Sequence, residues 1–419
     1  MKFKRPRGTN DLFGEKMELW RRVEDLLVDV LSSYGYSEIR TPIFEQTELF
    51  TRAVGEGTDI VTKEMYTFAD KKGRSLTLRP ENTAPVMRAY IENGLSRTAG
   101  LSRLFYVGPM FRYDRPQAGR YRQFHQLGAE AIGSANPAVD AEIIDMCMTM
   151  LKGLGFTDLE LHLNSVGCPV CRPRFKQILT DSLLEHEDEL CDNCKVRTKV
   201  SPLRVFDCKV CTEVKKKLPV ITDYLCSDCK EHFNTLKGIL RELGIEFIED
   251  PLLVRGLDYY TRTAFEIHHA GIGAQSAICG GGRYDGLAED CGGPGTPAVG
   301  FSAGLERIIE TLPQDSPARG SDRRLDVYFV LIDPAVTSRA MLLAKELRSS
   351  GLVVQLDLTG RSLKKQLRSA SDTGSKFSII LGREEMERGE AVIKDMDSTE
   401  QVSVPLDEAA KELRSRYGK

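Results

Sequence analysis

The stretch Gly108-Pro109-Met110-Phe111-Arg112-Tyr113-Asp114-Arg115-Pro116, followed by Gln123-Phe124-His125-Gln126-Leu127-Gly128-Ala129-Glu130, decides how the chain is read. Residues 104–111 and 121–130 each read as a strand, and a long polar loop joins them. Arg112, Arg115, Arg120 and Arg122 fall on and around that loop. A solvated basic loop is the ordinary outcome of such a pattern. Arg112 differs, because it directly follows the apolar run 106–111 at a strand end. There a guanidinium can aim into a cleft and fork onto phosphate oxygens. Gln126 and Glu130 lie four apart on the second strand, so they share a face with Phe124 and Gly128. Facing solvent, these residues are only a polar surface. Lining a cleft, they form an acidic, hydrogen-bonding pocket for a cationic or imidazole-bearing ligand.

Working outward, the apolar positions of residues 17–33 repeat with the helical period, and Gly35 ends the helix. Residues 38–45 read as a strand interrupted by Pro42, which fits an edge or an interface. Residues 63–79 read as a hairpin turning at Asp70-Lys71-Lys72-Gly73. Glu81 stands at the junction with a helix over 83–93. A helix over 137–152 is capped by Asn136 and started by Pro137, and a strand at 159–164 follows. Strands are expected near 252–256 and 263–268, a glycine-rich turn at 278–286, and a helix at 302–312 that carries Arg307. Beyond the polar linker 312–322, strands and helices alternate from 325 to 416, which predicts a small α/β domain with a mostly parallel sheet. Its residues Arg361, Lys364, Lys365 and Arg368, spaced i, i+3, i+4 and i+7, read as one basic helix face.

The chain has 419 residues, with 58 Lys and Arg against 61 Asp and Glu, a net charge of −3. This excludes a protein that is basic throughout, but not a nucleic-acid enzyme with local basic patches. No apolar run approaches the ~18 residues of a membrane span, and no apolar segment follows the basic start. A cytoplasmic protein without membrane association is expected. Eight of the eleven cysteines form four C-x-x-C pairs: Cys168/Cys171, Cys191/Cys194, Cys208/Cys211 and Cys226/Cys229. In a reducing compartment such pairs indicate metal before disulfides. Two pairs complete one tetrahedral site, so four pairs allow two structural Zn²⁺ ions in any of three pairings. The alternative is a set of reduced, unmetallated thiols.

Several segments together resemble class II aminoacyl-tRNA synthetases. Arg40-Thr41-Pro42-Ile43-Phe44-Glu45 resembles motif 1, the two strands quoted first resemble motif 2, and Gly300-Phe301-Ser302-Ala303-Gly304-Leu305-Glu306-Arg307 resembles motif 3. Arg255-Gly256-Leu257-Asp258-Tyr259-Tyr260-Thr261-Arg262-Thr263 and Gly281-Gly282-Arg283-Tyr284-Asp285-Gly286-Leu287 resemble the two histidine signatures of the histidyl-tRNA synthetase family. Leu78-Arg79-Pro80-Glu81-Asn82-Thr83 also fits, with Asn82 where the family often has glycine.

The resemblance implies an α+β catalytic domain, built on a six-stranded antiparallel sheet, in two parts (1–165 and 246–320). A cysteine-rich insertion domain (166–245) separates them, and a C-terminal α/β anticodon-binding domain (325–419) follows. It further implies a homodimer joined through the proline strand, with L-histidine, ATP, Mg²⁺ and tRNA(His) as partners. Histidine would attack the α-phosphate, and tRNA would then attack the histidyl-adenylate. Arg112 and Arg255 would flank the α-phosphate, and Arg307 the γ-phosphate and adenine. Glu81, Thr83, Gln126, Glu130, Tyr259, Tyr260 and Tyr284 would line the histidine pocket. Arg115 and Gln117 would approach the tRNA acceptor end, and the Arg361, Lys364, Lys365, Arg368 face would contact tRNA. Two other classes are set against this reading. A non-catalytic paralogue regulating histidine biosynthesis typically lacks the anticodon domain and an intact histidine signature. A zinc-ribbon nucleic-acid-binding protein leaves Arg112, Arg255 and Arg307 without a purpose.

Overall fold

The computed structural model describes residues 3–55, 57–97, 100–114, 119–269, 277–320 and 325–417. They form two compact units, Met1–Arg319 and Gly320–Lys419.

The strands of the first unit are β1 (Ser37–Glu38), β2 (Phe44–Gln46), β3 (Tyr66–Ala69), β4 (Ser75–Leu78), β5 (Ser102–Phe111), β6 (Gln123–Ile132), β7 (Leu159–Ser165), β8 (Ile248–Glu249), β9 (Thr261–His269), β10 (Ala277–Arg283) and β11 (Ala298–Gly304). Six of them form an antiparallel sheet in the order β5-β6-β11-β10-β9-β7. The six expected antiparallel strands are there, and the sheet extends beyond them: β1 adds parallel to β5 and β8 parallel to β7.

The helices of this unit are α1 (Glu15–Ser33), α2 (Thr47–Val54), α3 (Thr83–Glu92), α4 (Pro137–Gly153), α5 (Arg172–Glu185), α6 (Asp192–Val200), α7 (Thr212–Lys215), α8 (Ser227–Glu242), α9 (Leu287–Asp290) and α10 (Leu305–Glu310), of which α5, α6 and α7 pack in a separate cysteine-rich cluster. Alternation along the strands decides which side each residue serves. Leu127, Ala129 and Ala131 of β6 join Val23 and Leu27 of α1, Ile143 and Cys147 of α4, and Leu236 of α8 in the main core. The intervening residues Gln126, Gly128 and Glu130 turn to the opposite face. There Tyr106, Tyr259, Tyr260 and Tyr284 pack with α2, α3 and α9.

Three local expectations are corrected. The proline strand divides: β1 joins the large sheet, whereas β2 pairs with β4 in a separate three-stranded sheet. Between them Pro42 has no N–H to donate, and the Thr41 carbonyl accepts from Arg79 Nη1 (3.1 Å). Residues 252–256 form no strand, because Asn164 Nδ2 takes up the Pro251 and Leu253 carbonyls (3.3 and 2.8 Å). Residues 302–304 continue β11, with Ser302 paired to Gly128 and Gly304 to Gln126, and the helix starts only at Leu305.

The second unit contains β12 (Val327–Leu331), β13 (Val354–Leu356), β14 (Phe377–Leu381), β15 (Glu390–Asp395) and β16 (Gln401–Pro405) with helices α11 (Thr337–Ser349), α12 (Leu363–Asp372), α13 (Arg383–Arg388) and α14 (Ala409–Tyr417). Its sheet is mixed rather than mostly parallel. β13-β12-β14 are parallel, and β15 and β16 add antiparallel. The short α13 is not foreseen in the sequence, and Gly389 ends it with φ at +68°.

One buried ion pair joins sheet to helix in the first unit. Arg283 of β10 and Asp140 of α4 are both wholly buried as side chains, with Nη2 2.5 Å from Oδ2. The remaining guanidinium hydrogens reach the Ser134 carbonyl (2.9 Å) and Asp285 (3.1 Å). Removing one partner leaves an uncompensated buried charge, at a cost of about 3–5 kcal/mol. Asp140→Ala is therefore expected to lower the unfolding free energy of the first unit by about that amount in urea titrations, while Asp285→Ala, at the solvent-facing side of the pair, has a smaller effect.

Candidate active site

Beneath β6, β11 and β10, on the face away from the main core, lies a cavity of about 340 Å³. Glu81, Thr83, Gln126, Glu130, Tyr259, Tyr260 and Tyr284 gather at one side of it. Glu130 is buried. Its carboxylate accepts from Thr83 Oγ1 at 2.8 Å and from the Tyr284 hydroxyl. Gly300 sits directly opposite Glu130 in the register, and a Cβ there would overlap the carboxylate, so this position requires glycine. Burial pushes the Glu130 pKa up to about 8. Glu81 is also buried, and burial raises its pKa. Both of its oxygens accept from the first turn of α3, from the Thr83 amide (2.7 Å) and the Ala84 amide (3.1 Å). The Tyr259 ring stands 4.8 Å from Tyr260 and 5.5 Å from Tyr284, which gives this side an aromatic wall. Gln126 Oε1 is buried without a hydrogen-bond partner among the described residues. A buried acceptor left unmatched is what a ligand donor can satisfy.

The other side of the cavity is cationic. Arg112 donates from Nε to the Pro80 carbonyl (2.8 Å) and lies over the Phe124 ring, 5.3 Å from its centroid. Burial lowers its pKa, and the neighbouring carboxylates Glu64 and Glu81 act against that shift. Arg255 pairs with Glu266, which in turn meets His268 Nε2 at 2.9 Å. Burial works against the Arg255 charge, but Glu266 holds its pKa above the ordinary value. The guanidinium occupies the space over Gly280 that a Cβ would fill. This accounts for Gly280 within the glycine run of β10. Arg307 on α10 donates to the Ala277 carbonyl (2.6 Å). Glu306, next to it in sequence, accepts from the His125 amide (2.8 Å) and meets His125 Nδ1 (3.0 Å).

The fold thus gathers ten of the sequence-selected residues around one cavity. Arg115 and Gln117 lie outside the described residues. Arg361 is not on the predicted helix face: α12 begins after Ser362, and the Arg361 guanidinium is held by Asp357 (2.8 Å) and Thr359 (2.7 Å). Lys364, Lys365 and Arg368 remain together on α12 and exposed. The cysteines meet as two groups, Cys168/Cys171/Cys226/Cys229 and Cys191/Cys194/Cys208/Cys211, and each group could hold a metal ion. Sequence reasoning missed Glu64, Tyr106, Glu266 and Ser302, which also line the cavity. Tyr106 had a signal, since it stands opposite Gly128 on the same sheet face as Gln126 and Glu130.

The raised Glu130 pKa has a definite sign. Between the ordinary carboxyl value of ~4.5 and about 8, the native state binds a proton that the unfolded chain has released. Stability is therefore expected to fall as pH rises through this window. Glu130→Gln removes the titration, so the thermal midpoint of the variant is expected to fall less between pH 5 and 8 than that of the parent protein, as measured by scanning calorimetry.

Comparison with known proteins agrees with this geometry. The histidyl-tRNA synthetase family model matches residues 8–172 and 208–308, and the anticodon-binding domain model matches 326–416. The histidine–tRNA ligase of Caldanaerobacter subterraneus subsp. tengcongensis is 49% identical over 98% of this chain and 99% of its own length. That of Desulforudis audaxviator is 51% identical over 99% of both. The crystal structure of apo Staphylococcus aureus histidyl-tRNA synthetase superposes with a TM-score of 0.81 at 37% identity, covering 98% of this chain and all of that one. With its sheet, its paired carboxylate and arginine sides and its C-terminal unit all accounted for, this chain belongs to the histidyl-tRNA synthetase family.

Proposed function

We propose that the chain ligates L-histidine to tRNA(His) in two steps within the cavity. The observation that carries this reading is the placement of a buried carboxylate–hydroxyl cluster and a group of arginines in one cavity. Histidine brings an ammonium and an imidazole, which match Glu130, Glu81, Gln126 and Thr83 under the aromatic wall of Tyr259, Tyr260 and Tyr284. An ammonium beside Glu130 favours its ionised form, so binding draws the carboxyl proton off near neutral pH. The histidine carboxylate is then left directed toward the arginine side.

In the first step that carboxylate attacks the ATP α-phosphate and pyrophosphate leaves. Arg112 and Arg255 are positioned to stabilise charge on the phosphate oxygens, and both are held in place before substrate arrives, by Pro80 and by Glu266. Arg307 serves the γ-phosphate and adenine. Glu64 and Asp114 line the cavity and offer the hard oxygen donors that would help hold the Mg²⁺ accompanying ATP. Such an ion would neutralise part of the phosphate charge. In the second step the terminal ribose hydroxyl of tRNA attacks the activated carbonyl and AMP leaves. Arg115, Gln117 and the α12 residues Lys364, Lys365 and Arg368, with Arg361 beside them, are assigned to tRNA.

Exposure of Ile43, Phe44 and Phe68 (44%, 51% and 44%) on the three-stranded sheet, with the two Phe rings 6.3 Å apart, supports a homodimer joined through that surface. No helix among the described residues is long and apolar enough to cross a membrane, and we assign the protein to the cytoplasm. The thiol groups are assigned to structural Zn²⁺. A regulatory paralogue is the weaker reading, because the anticodon-binding match and the arginine set are both intact.

The test is ATP–pyrophosphate exchange, expected with L-histidine and not with other amino acids. Arg255→Ala is expected to lower the adenylation rate on the order of 10²–10³-fold, the usual effect of losing a transition-state donor, and single-turnover adenylate formation at the parent rate would remove Arg255 from the mechanism. Reversing the charge of Lys364, Lys365 and Arg368 together is expected to weaken tRNA binding and flatten its salt dependence, with exchange unaltered.

A further inference from the structure

The cysteine-rich segment packs against the loop that carries Arg255, Tyr259 and Tyr260. Four sulfurs bound to one Zn²⁺ at ~2.3 Å define a tetrahedron with edges of about 3.8 Å. In the first thiol group Cys168 lies 3.8 Å from Cys171 and 3.7 Å from Cys226, and Cys171 lies 3.8 Å from Cys229. In the second, Cys191 lies 3.8 Å from Cys208. All four sulfurs of each group fall within 4.8 Å of one another. A disulfide needs ~2.05 Å, so these are separations for a shared ion, not for a bond. Backbone amides turn toward the sulfurs: Cys168 N toward Cys171 (3.2 Å), Val170 N toward Cys168, Cys191 N toward Cys211 (3.3 Å) and Val210 N toward Cys208. Of the three pairings the sequence allows, the fold selects the nested one, first pair with fourth and second with third.

Both groups connect to the histidine loop through a residue near a ligand. Arg172, which follows Cys171, donates to the Tyr260 carbonyl at 2.7 Å. Gly167, which precedes Cys168, accepts from the Arg262 amide at 2.8 Å. Arg204, on the turn Pro202–Asp207 that leads into Cys208, donates to the Gly256 carbonyl (2.6 Å) and to Asp258 (3.2 Å). The loop is thus fastened at 256, 258, 260 and 262 from the side opposite the cavity. No regular element of its own fixes residues 255–260.

We propose that two tetrathiolate Zn²⁺ sites fix the cysteine-rich segment, and that this segment braces the histidine loop through the positioning residues Arg172 and Arg204. The brace rests on the assignment of that loop to the histidine pocket. The zinc would be structural, since four thiolates leave no open coordination position for a substrate.

Elemental analysis of protein purified under reducing conditions without chelator is expected to give about two Zn per chain and no iron. Arg172→Ala and Arg204→Ala are expected to keep both ions and to raise the histidine KM in exchange by roughly tenfold, the effect of losing charge-assisted hydrogen bonds, with the ATP KM nearly unmoved. Arg204→Lys should recover part of the loss. Amide hydrogen exchange over residues 255–262, which needs no catalysis, should quicken in both alanine variants and in zinc-stripped parent protein. Two Zn with 255–262 exchanging at the parent rate in both alanine variants would overturn the brace. So would less than about a tenth of an equivalent of zinc with eight freely titrating thiols, or iron in its place. Quickened amide exchange in a protein with no histidine-dependent pyrophosphate exchange would leave the brace standing and refute the aminoacylation reading instead.

Discussion

A carboxylate held by hydroxyl groups rather than by a cation is the constraint on which the site depends. Glu130 is buried, it accepts from Thr83 and Tyr284, and no Lys, Arg or His pairs with it among the described residues. An uncompensated buried charge is costly, which is why its pKa lies so far above the ordinary carboxyl value. That cost falls when a cationic ligand arrives. The surrounding choices follow from making room for this group. Gly300 faces it across the sheet without a side chain, and Thr83 opens a helix whose first amides are capped by Glu81. The Tyr106, Tyr259 and Tyr284 rings exclude water at that side. The glycine and the buried carboxyl each cost local packing or solvation, and the cap and the rings are what the fold sets against that cost.

The arginine side is governed by the opposite rule. Arg112 and Arg255 are half-buried cations, but each is fixed by a neighbour on the scaffold, Arg112 by a carbonyl and Arg255 by Glu266. The Arg255 pair continues through Glu266 to His268, whose ring stacks on His162 at 4.2 Å. A flexible guanidinium would lose conformational entropy on meeting phosphate. One already held by its neighbours loses less, and in the proposed reaction its charge would already stand where negative charge develops.

Much of this was legible in the sequence, and the reasons for the gaps are specific. The i, i+4 spacing of Gln126 and Glu130 placed them on one strand face, and Arg112 at a strand end suggested a cleft. Periodicity cannot say whether a polar face meets solvent or a cavity, because that depends on which elements cover the sheet, and here α2, α3 and α9 do so. Residues 302–304 were read as helix because small residues carry little strand signal. Their pairing with 126–128 is a long-range contact that no local pattern reports. Arg361 fitted a helical period by number alone, and Asp357 and Thr359 capture it one turn before the helix begins. Residues 115–118, with the sequence-selected Arg115 and Gln117, lie outside the described residues.

The cysteines show where spacing stops being informative and topology takes over. Four C-x-x-C pairs allow two tetrahedral sites but leave their pairing open. The choice is made by where the chain leaves and re-enters the sheet. Cys168 follows β7 directly, and α8, which begins beside Cys226, packs Phe233 and Leu236 into the same core as Leu161 and Leu163 of β7. The first and fourth pairs are therefore brought together by the catalytic core itself. The second and third pairs then close the far part of the segment, where Leu190, Val205 and Phe206 share an apolar cluster with all eight thiols, Cys191 and Cys226 at its edge. With an ion in each group, as proposed above, an outer site at the root and an inner site at the tip would fix both ends of the segment, and a surface fixed at both ends can hold a neighbouring loop in place.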